Sequence, residues 1–147
     1  MKAIPKPALW LGLAGLIPFI YGALTHLEPR AAFTPLSGVA LINFYGVVIL
    51  CFMAGVLWGF AAWAQRTDWP LYVASVAPAL LSFVPALFMP AMYQGQGGVL
   101  LLFNGFVILL ILDHWFSTQQ LTPEWWMSLR TLLTAIVCAC LAVGGFA

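Results

Sequence analysis

Five runs of apolar residues follow one another along the chain, each about as long as the roughly 20 residues a helix needs to cross a hydrocarbon core. They cover about 7–27, 36–64, 70–89, 97–116 and 125–146. The short breaks between them carry the turn and charge chemistry that stops a membrane helix. These breaks are Glu28-Pro29-Arg30, Arg66-Thr67-Asp68, Gln94-Gly95-Gln96-Gly97 and the stretch from Ser117 to Glu124. The pattern predicts an all-α fold, an integral membrane bundle of about five transmembrane helices. Residues 1–147 then make a single transmembrane domain, with nothing left over for a second.

Composition identifies the solvent. Of 147 residues, 64% are hydrophobic and 6% charged, and mean hydropathy is +1.04. A water-soluble fold of this size would have to display Leu, Phe and Val on its surface, so the partner surrounding the chain is a lipid bilayer. Five basic and four acidic residues, for a net charge of +1, exclude the basic stripe that nucleic-acid binding needs. Lys2 and Lys6 before the first run resemble the start of a signal peptide. The run from Ala8 to Leu27 is too long for a signal core and lacks a small-x-small cleavage site, so it reads as a retained helix. With no Arg/Ser-rich transit peptide in front, the expected location is the bacterial inner (cytoplasmic) membrane. An N-in, C-out arrangement puts Lys2, Lys6, Arg66 and Arg130 on the inner side and Arg30 on the outer, as the positive-inside rule prefers.

Helices in lipid approach one another through small residues. Gly55 and Gly59 form a GxxxG on the second run and are the expected packing contact, and the fifth run offers Thr131, Ala135 and Ala139 at four-residue spacing.

Polar side chains inside the runs are the candidates for chemistry. At ~1.5 Å per residue, Tyr21, Asn43, Ser82 and Asn104 reach a similar level in the outer half, with Tyr45 beside them. Pro18 and Pro85 free the carbonyls of Ala14 and Leu81 near that level. Two readings are open for this layer: a polar pocket that binds a small molecule, or hydrogen bonds that glue helices together. On the inner side, Asp113 and His114 end the fourth run, and Glu124 and Arg130 begin the fifth. Arg130 near a lipid boundary either snorkels or finds a partner, and Asp113 across the short loop is the expected one, as a structural ion pair. A proton relay through Asp113 and His114 is disfavoured because neighbouring helix positions diverge by about 100°. Cys51, Cys138 and Cys140 sit in apolar runs and read as packing residues. His26 and Glu28 supply two metal ligands without a third, and no catalytic or cofactor-binding motif is present. No metal, no cofactor and no catalytic set is expected.

The chain is similar to a family catalogued as domain of unknown function 3429, which includes a mitochondrial transmembrane protein of animals. The resemblance rests on Tyr45-Gly46-Val47-Val48-Ile49-Leu50-Cys51-Phe52 with Gly55, Trp58 and Gly59, and on Ser75-Val76-Ala77-Pro78. Asp113, Trp125-Trp126, Leu129-Arg130 and Leu133-Thr134 extend it over nearly the whole chain. Leu57 departs from it, standing where a polar or basic residue is expected before the Trp-Gly pair. The resemblance implies a five-helix inner-membrane protein and brings no activity with it. The sequence therefore ranks a non-enzymatic accessory or assembly partner of a larger membrane complex first, and a small-molecule or lipid binder or carrier, using the outer polar layer, second. An enzyme comes last, since the candidate nucleophiles and bases are interfacial.

Overall fold

A computed structural model describes residues 3–146. Lys2, counted above toward orientation, lies outside them. Among the described residues the chain folds as six α-helices joined by turns and two short 3-10 segments: α1 (Lys6–Ala14), α2 (Ile17–Leu27), α3 (Gly38–Trp63), α4 (Trp69–Phe88), α5 (Gln96–Thr118) and α6 (Trp126–Phe146). With α1 and α2 taken as one stretch, four are long and apolar enough to cross a membrane: Lys6–Leu27, Gly38–Trp63, Gln96–Thr118 and Trp126–Gly145. The fifth contributes a shorter apolar stretch, Trp69–Pro85. The five predicted runs thus appear as five successive helical stretches, four of them long enough to span a membrane.

The first pass is broken at its middle for a covalent reason. Pro18 has no N–H to return to the carbonyl of Ala14. The helix tightens at Leu16, whose N–H reaches Leu13 at 3.0 Å, and restarts as α2. The break is bridged from α3, where the Tyr45 hydroxyl donates to the Gly15 carbonyl at 3.0 Å. The N-terminus of α3 is capped by Ser37, whose Oγ accepts from the Ala40 amide at 3.2 Å.

At their far ends, α3 and α5 stop in the same way. Gln65 (φ 52°) and Gln120 (φ 57°) take the left-handed conformation. The next amides, Arg66 and Leu121, reach back to the carbonyls of Ala61 and Phe116 at 3.0 and 3.1 Å. This is the pattern that satisfies the last carbonyls of a helix and turns the chain sharply, which keeps both loops at this end short.

α3 is the central helix and packs against α2, α4, α5 and α6. Its Ile42, Ala54, Leu57 and Ala61 are fully buried with Phe19, Leu102, Phe106, Leu109, Phe116 and Leu141 from the helices around it. Outward positions are apolar as well, including Leu11, Phe52, Val73, Leu81 and Ile111. A helix apolar on all sides is at home in lipid.

The packing glycines are not the expected ones. No described atom lies within 4 Å of a Cβ built on Gly55 or Gly59, and both face outward. The close approach occurs instead between Gly22 and Gly38. A Cβ on Gly38 would strike the Gly22 carbonyl and come within 2.7 Å of the His26 amide nitrogen, and one on Gly22 would lie 2.6 Å from Ile42 Cγ1. The reason is rotational: the buried face of α3 is set by Ala54, Leu57 and Ala61, and Gly55 and Gly59 fall on the opposite side. Thr131, Ala135 and Ala139 of α6 are likewise exposed. Thermal unfolding in a single detergent should show Gly38→Ala destabilised by ~1–3 kcal/mol through overpacking, while Gly55→Ala stays within about 1 kcal/mol of the parent. Equal losses at the two positions would mean that the outward face is packed after all.

Candidate functional site

The outer polar layer is joined by hydrogen bonds to the backbone, with Asn43 Oδ1 left buried and without a partner. α4 ends at Met89, and the 3-10 turn Pro90–Gln94 tucks Tyr93 into the bundle. Asn43, fully buried on α3, donates its amide to the carbonyls of Tyr93 and Gly95 at 2.8 and 2.9 Å. The Tyr93 hydroxyl donates in turn to the Ser82 carbonyl, and burial pushes its phenol above the usual value. The Ser82 hydroxyl donates to the carbonyls of Pro78 and Ala79 at 2.9 and 3.0 Å, with the Cys51 sulfur 3.8 Å away. Gly98 allows this arrangement, since a Cβ there would sit 2.8 Å from the Asn43 amide. The layer ties α3 and α4 to the α4–α5 connection, and of the two readings for it the glue describes these bonds.

Three residues assigned to that layer lie elsewhere. Asn104 is exposed and donates to the Leu100 carbonyl of its own helix at 2.8 Å. The inward stripe of α5 runs through Leu102, Phe106, Leu109 and Asp113, and Asn104 is turned away from it. Tyr21 accepts from the Phe33 amide at 2.9 Å and stacks against the Phe33 ring, so it anchors the α2–α3 connection. Tyr45 serves the break at Gly15. The structure brings Asn43 and Ser82 together through Tyr93, and it does not bring Tyr21, Tyr45 or Asn104 to them.

At the other end of the bundle a charged pair is enclosed. Asp113 lies on the inward stripe near the end of α5, and Arg130 lies one turn into α6, brought back by the tight turn at Gln120. Arg130 Nε donates to Asp113 Oδ2 at 2.6 Å, with the two side chains 3% and 1% exposed. Trp126 Nε1 donates to Oδ1 at 2.8 Å, so each carboxylate oxygen has a donor. The guanidinium also lies 6.0 Å from the Trp126 ring, and Phe60 meets that ring edge-on at 5.0 Å. His114, next in sequence to Asp113, is exposed, so a relay between them has no path.

The enclosure leaves donors over. Among the described residues, Asn43 Oδ1, Thr122 Oγ1, Arg130 Nη2 and Thr134 Oγ1 are buried without a hydrogen-bond partner. Arg130 and Thr134 belong to the wall of a groove of about 360 Å³ that runs between the first pass, α3 and α6, although these two atoms are themselves covered. Its walls are otherwise apolar, with Gly12, Gly15 and Phe19 on one side, Ile49, Met53 and Val56 on another, and Trp125, Leu129 and Leu133 on the third. Its size is at the lower end of the roughly 300–1,000 Å³ typical of ligand pockets. Sequence reasoning missed this site because the paired charge reads as complete. The available signal was Thr134, four residues after Arg130 and therefore on the same helix face. Among the described residues, no group of three or more His, Cys, Asp or Glu side chains is placed to hold a metal.

These features define a multi-pass helical membrane protein whose interior polar groups join helices, with an apolar groove ending at a buried arginine. The chain belongs to the family described as "Protein of unknown function (DUF3429)", which it matches over residues 4–146. It is 35% identical over 139 residues to Transmembrane protein 69 of Xenopus tropicalis, covering 92% of this chain and 52% of the relative. To Transmembrane protein 69 of Mus musculus it is 29% identical over 140 residues, covering 90% and 52%. The chain therefore spans about half the length of these curated relatives. No solved structure matches it.

Removing one member of a buried ion pair strands the other. Arg130→Met should cost ~3–5 kcal/mol of stability in detergent unfolding, and the double variant Asp113→Leu/Arg130→Met should recover most of it. A double variant as unstable as the single would show that the loss comes from packing around Arg130 and not from a stranded carboxylate.

Proposed function

We infer that the protein is a non-enzymatic membrane protein that holds one small apolar or amphipathic molecule in the groove between its first pass, α3 and α6. The observation that carries this reading is the groove itself, of about 360 Å³ and lined by apolar residues apart from Arg130 and Thr134. A catalytic role is disfavoured because the nearest acid has both oxygens occupied by Arg130 and Trp126 and the Ser82 hydroxyl is engaged by its own helix. This groove lies in the opposite half of the bundle from the outer polar layer in which a binder was expected. The end bearing Lys6, Arg66 and Arg130 is assigned to the cytoplasmic side by the positive-inside rule.

The accessory reading retains one specific observation. The outward face of α3 presents Gly55 and Gly59 with open space above them, flanked by exposed Phe52, Trp58 and Trp63, and such a face suits a helix of another membrane protein.

Native mass spectrometry of the protein released from its own membrane separates the two. The expected result is a chain carrying one non-covalent small molecule, absent from a folded Val56→Trp variant whose indole fills the groove. A chain that emerges empty but bound to one stoichiometric protein partner would overturn the binder and favour the accessory.

A further inference from the structure

The groove has a rim, a floor and a length that fit one component of the surrounding bilayer. Its rims are Leu11 on α1 and Phe52 on α3, 74% and 65% exposed, and its floor is Phe106 of α5 and Val137 of α6, both buried. The slot therefore opens sideways to lipid between the first pass and α3. On that side α1 rests on α6 and buries none of its own residues. Along the first pass the wall runs from Ala8 to Phe19, a rise of about 16 Å, close to the ~15 Å of hydrocarbon in one leaflet. A volume of about 360 Å³ spread over that rise leaves a slot roughly 22 Å² across, the width of one hydrocarbon chain.

Selection is the second constraint. The walls are apolar apart from Arg130 and Thr134. Arg130 Nε is held by Asp113, and Arg130 Nη2 and Thr134 Oγ1 are covered. Picking a scarce molecule out of a bilayer takes placed polar contacts. A groove in which such contacts are taken or covered is filled by mass action with the chains around it. Resting on the ligand-binding reading above, we propose that the occupant is a membrane phospholipid from the leaflet at the Lys6 and Trp125 end. One of its acyl chains enters sideways between Leu11 and Phe52 and lies along Gly12 and Gly15, with its methyl end toward Phe19.

The test uses the full chain in phosphatidylcholine vesicles doped with a phosphatidylcholine that carries a photoactivatable diazirine near one chain end. A parallel sample receives diazirine-bearing hexadecane as the free apolar probe. After irradiation, labelled residues are read by peptide mass spectrometry. The phospholipid probe should label Leu133 and Val137, which line the groove, as well as Ile111, which is 62% exposed outside it. In Val56→Trp, whose indole fills the slot, labelling at Leu133 and Val137 should fall at least about tenfold relative to Ile111, the worth of about two buried methylenes. Ile49→Trp serves the same purpose if Val56→Trp does not fold. Labelling of Leu133 and Val137 by hexadecane alone would overturn the phospholipid as occupant while leaving groove binding intact. Phospholipid labelling that survives in the filled variants would mean that chains reach α6 from outside the groove, and the proposal would fall. If neither probe labels Leu133 or Val137 while both label Ile111, the ligand-binding reading falls first.

Discussion

A guanidinium and a carboxylate survive inside a lipid-embedded bundle only where each meets the other at hydrogen-bond distance. Asp113 and Arg130 meet at 2.6 Å, and that contact sets much of what surrounds it. It fixes the rotation of α6 against α5, because Asp113 lies on the inward stripe of one helix and Arg130 must face it from the other. It draws Trp126 in as a second donor, and Trp126 in turn receives Phe60 from the end of α3.

The opposite end is held by neutral chemistry. Asn43 takes hold of the backbone where α4 gives way to α5, and Tyr93 passes the chain of bonds on to α4. The two carbonyls that Asn43 reaches belong to the 3-10 turn and to the residue that follows it. The break at Gly15, bridged by Tyr45, follows the same logic in the middle of the bundle. The 3-10 turn and the break at Gly15 are thus each met by a side chain from α3. Buried polar atoms without a described partner remain at both ends of the bundle, Asn43 Oδ1 at one and Arg130 Nη2 and Thr134 Oγ1 at the other.

Membership of the family of unknown function and the similarity to Transmembrane protein 69 extend the architecture to animal proteins about twice as long. The Asp113, Arg130 and Thr134 cluster lies inside the matched region, so the reading offered for the groove concerns the part that this chain shares with them.

The sequence by itself determined the solvent, the fold class and the five helical runs, because hydropathy and length suffice to recognise a segment that lipid will accept, and prolines, polar turns and charges suffice to end it. It also pointed to Asp113 and Arg130 as partners, since a charge near a lipid boundary leaves few alternatives. Tertiary structure alone decided which face of each helix turns inward. An apolar helix in lipid has no polar side to betray its orientation, so Gly55 and Gly59 resembled packing residues although they face out, and Gly22 and Gly38 carry the close contact unannounced. The same rotation separated Asn104 from Asn43, two residues at one depth but on different faces. The groove arose only when three helices met, because the hydrogen bonds Arg130 lacks are a property of the neighbours that fail to reach it and not of the residue itself.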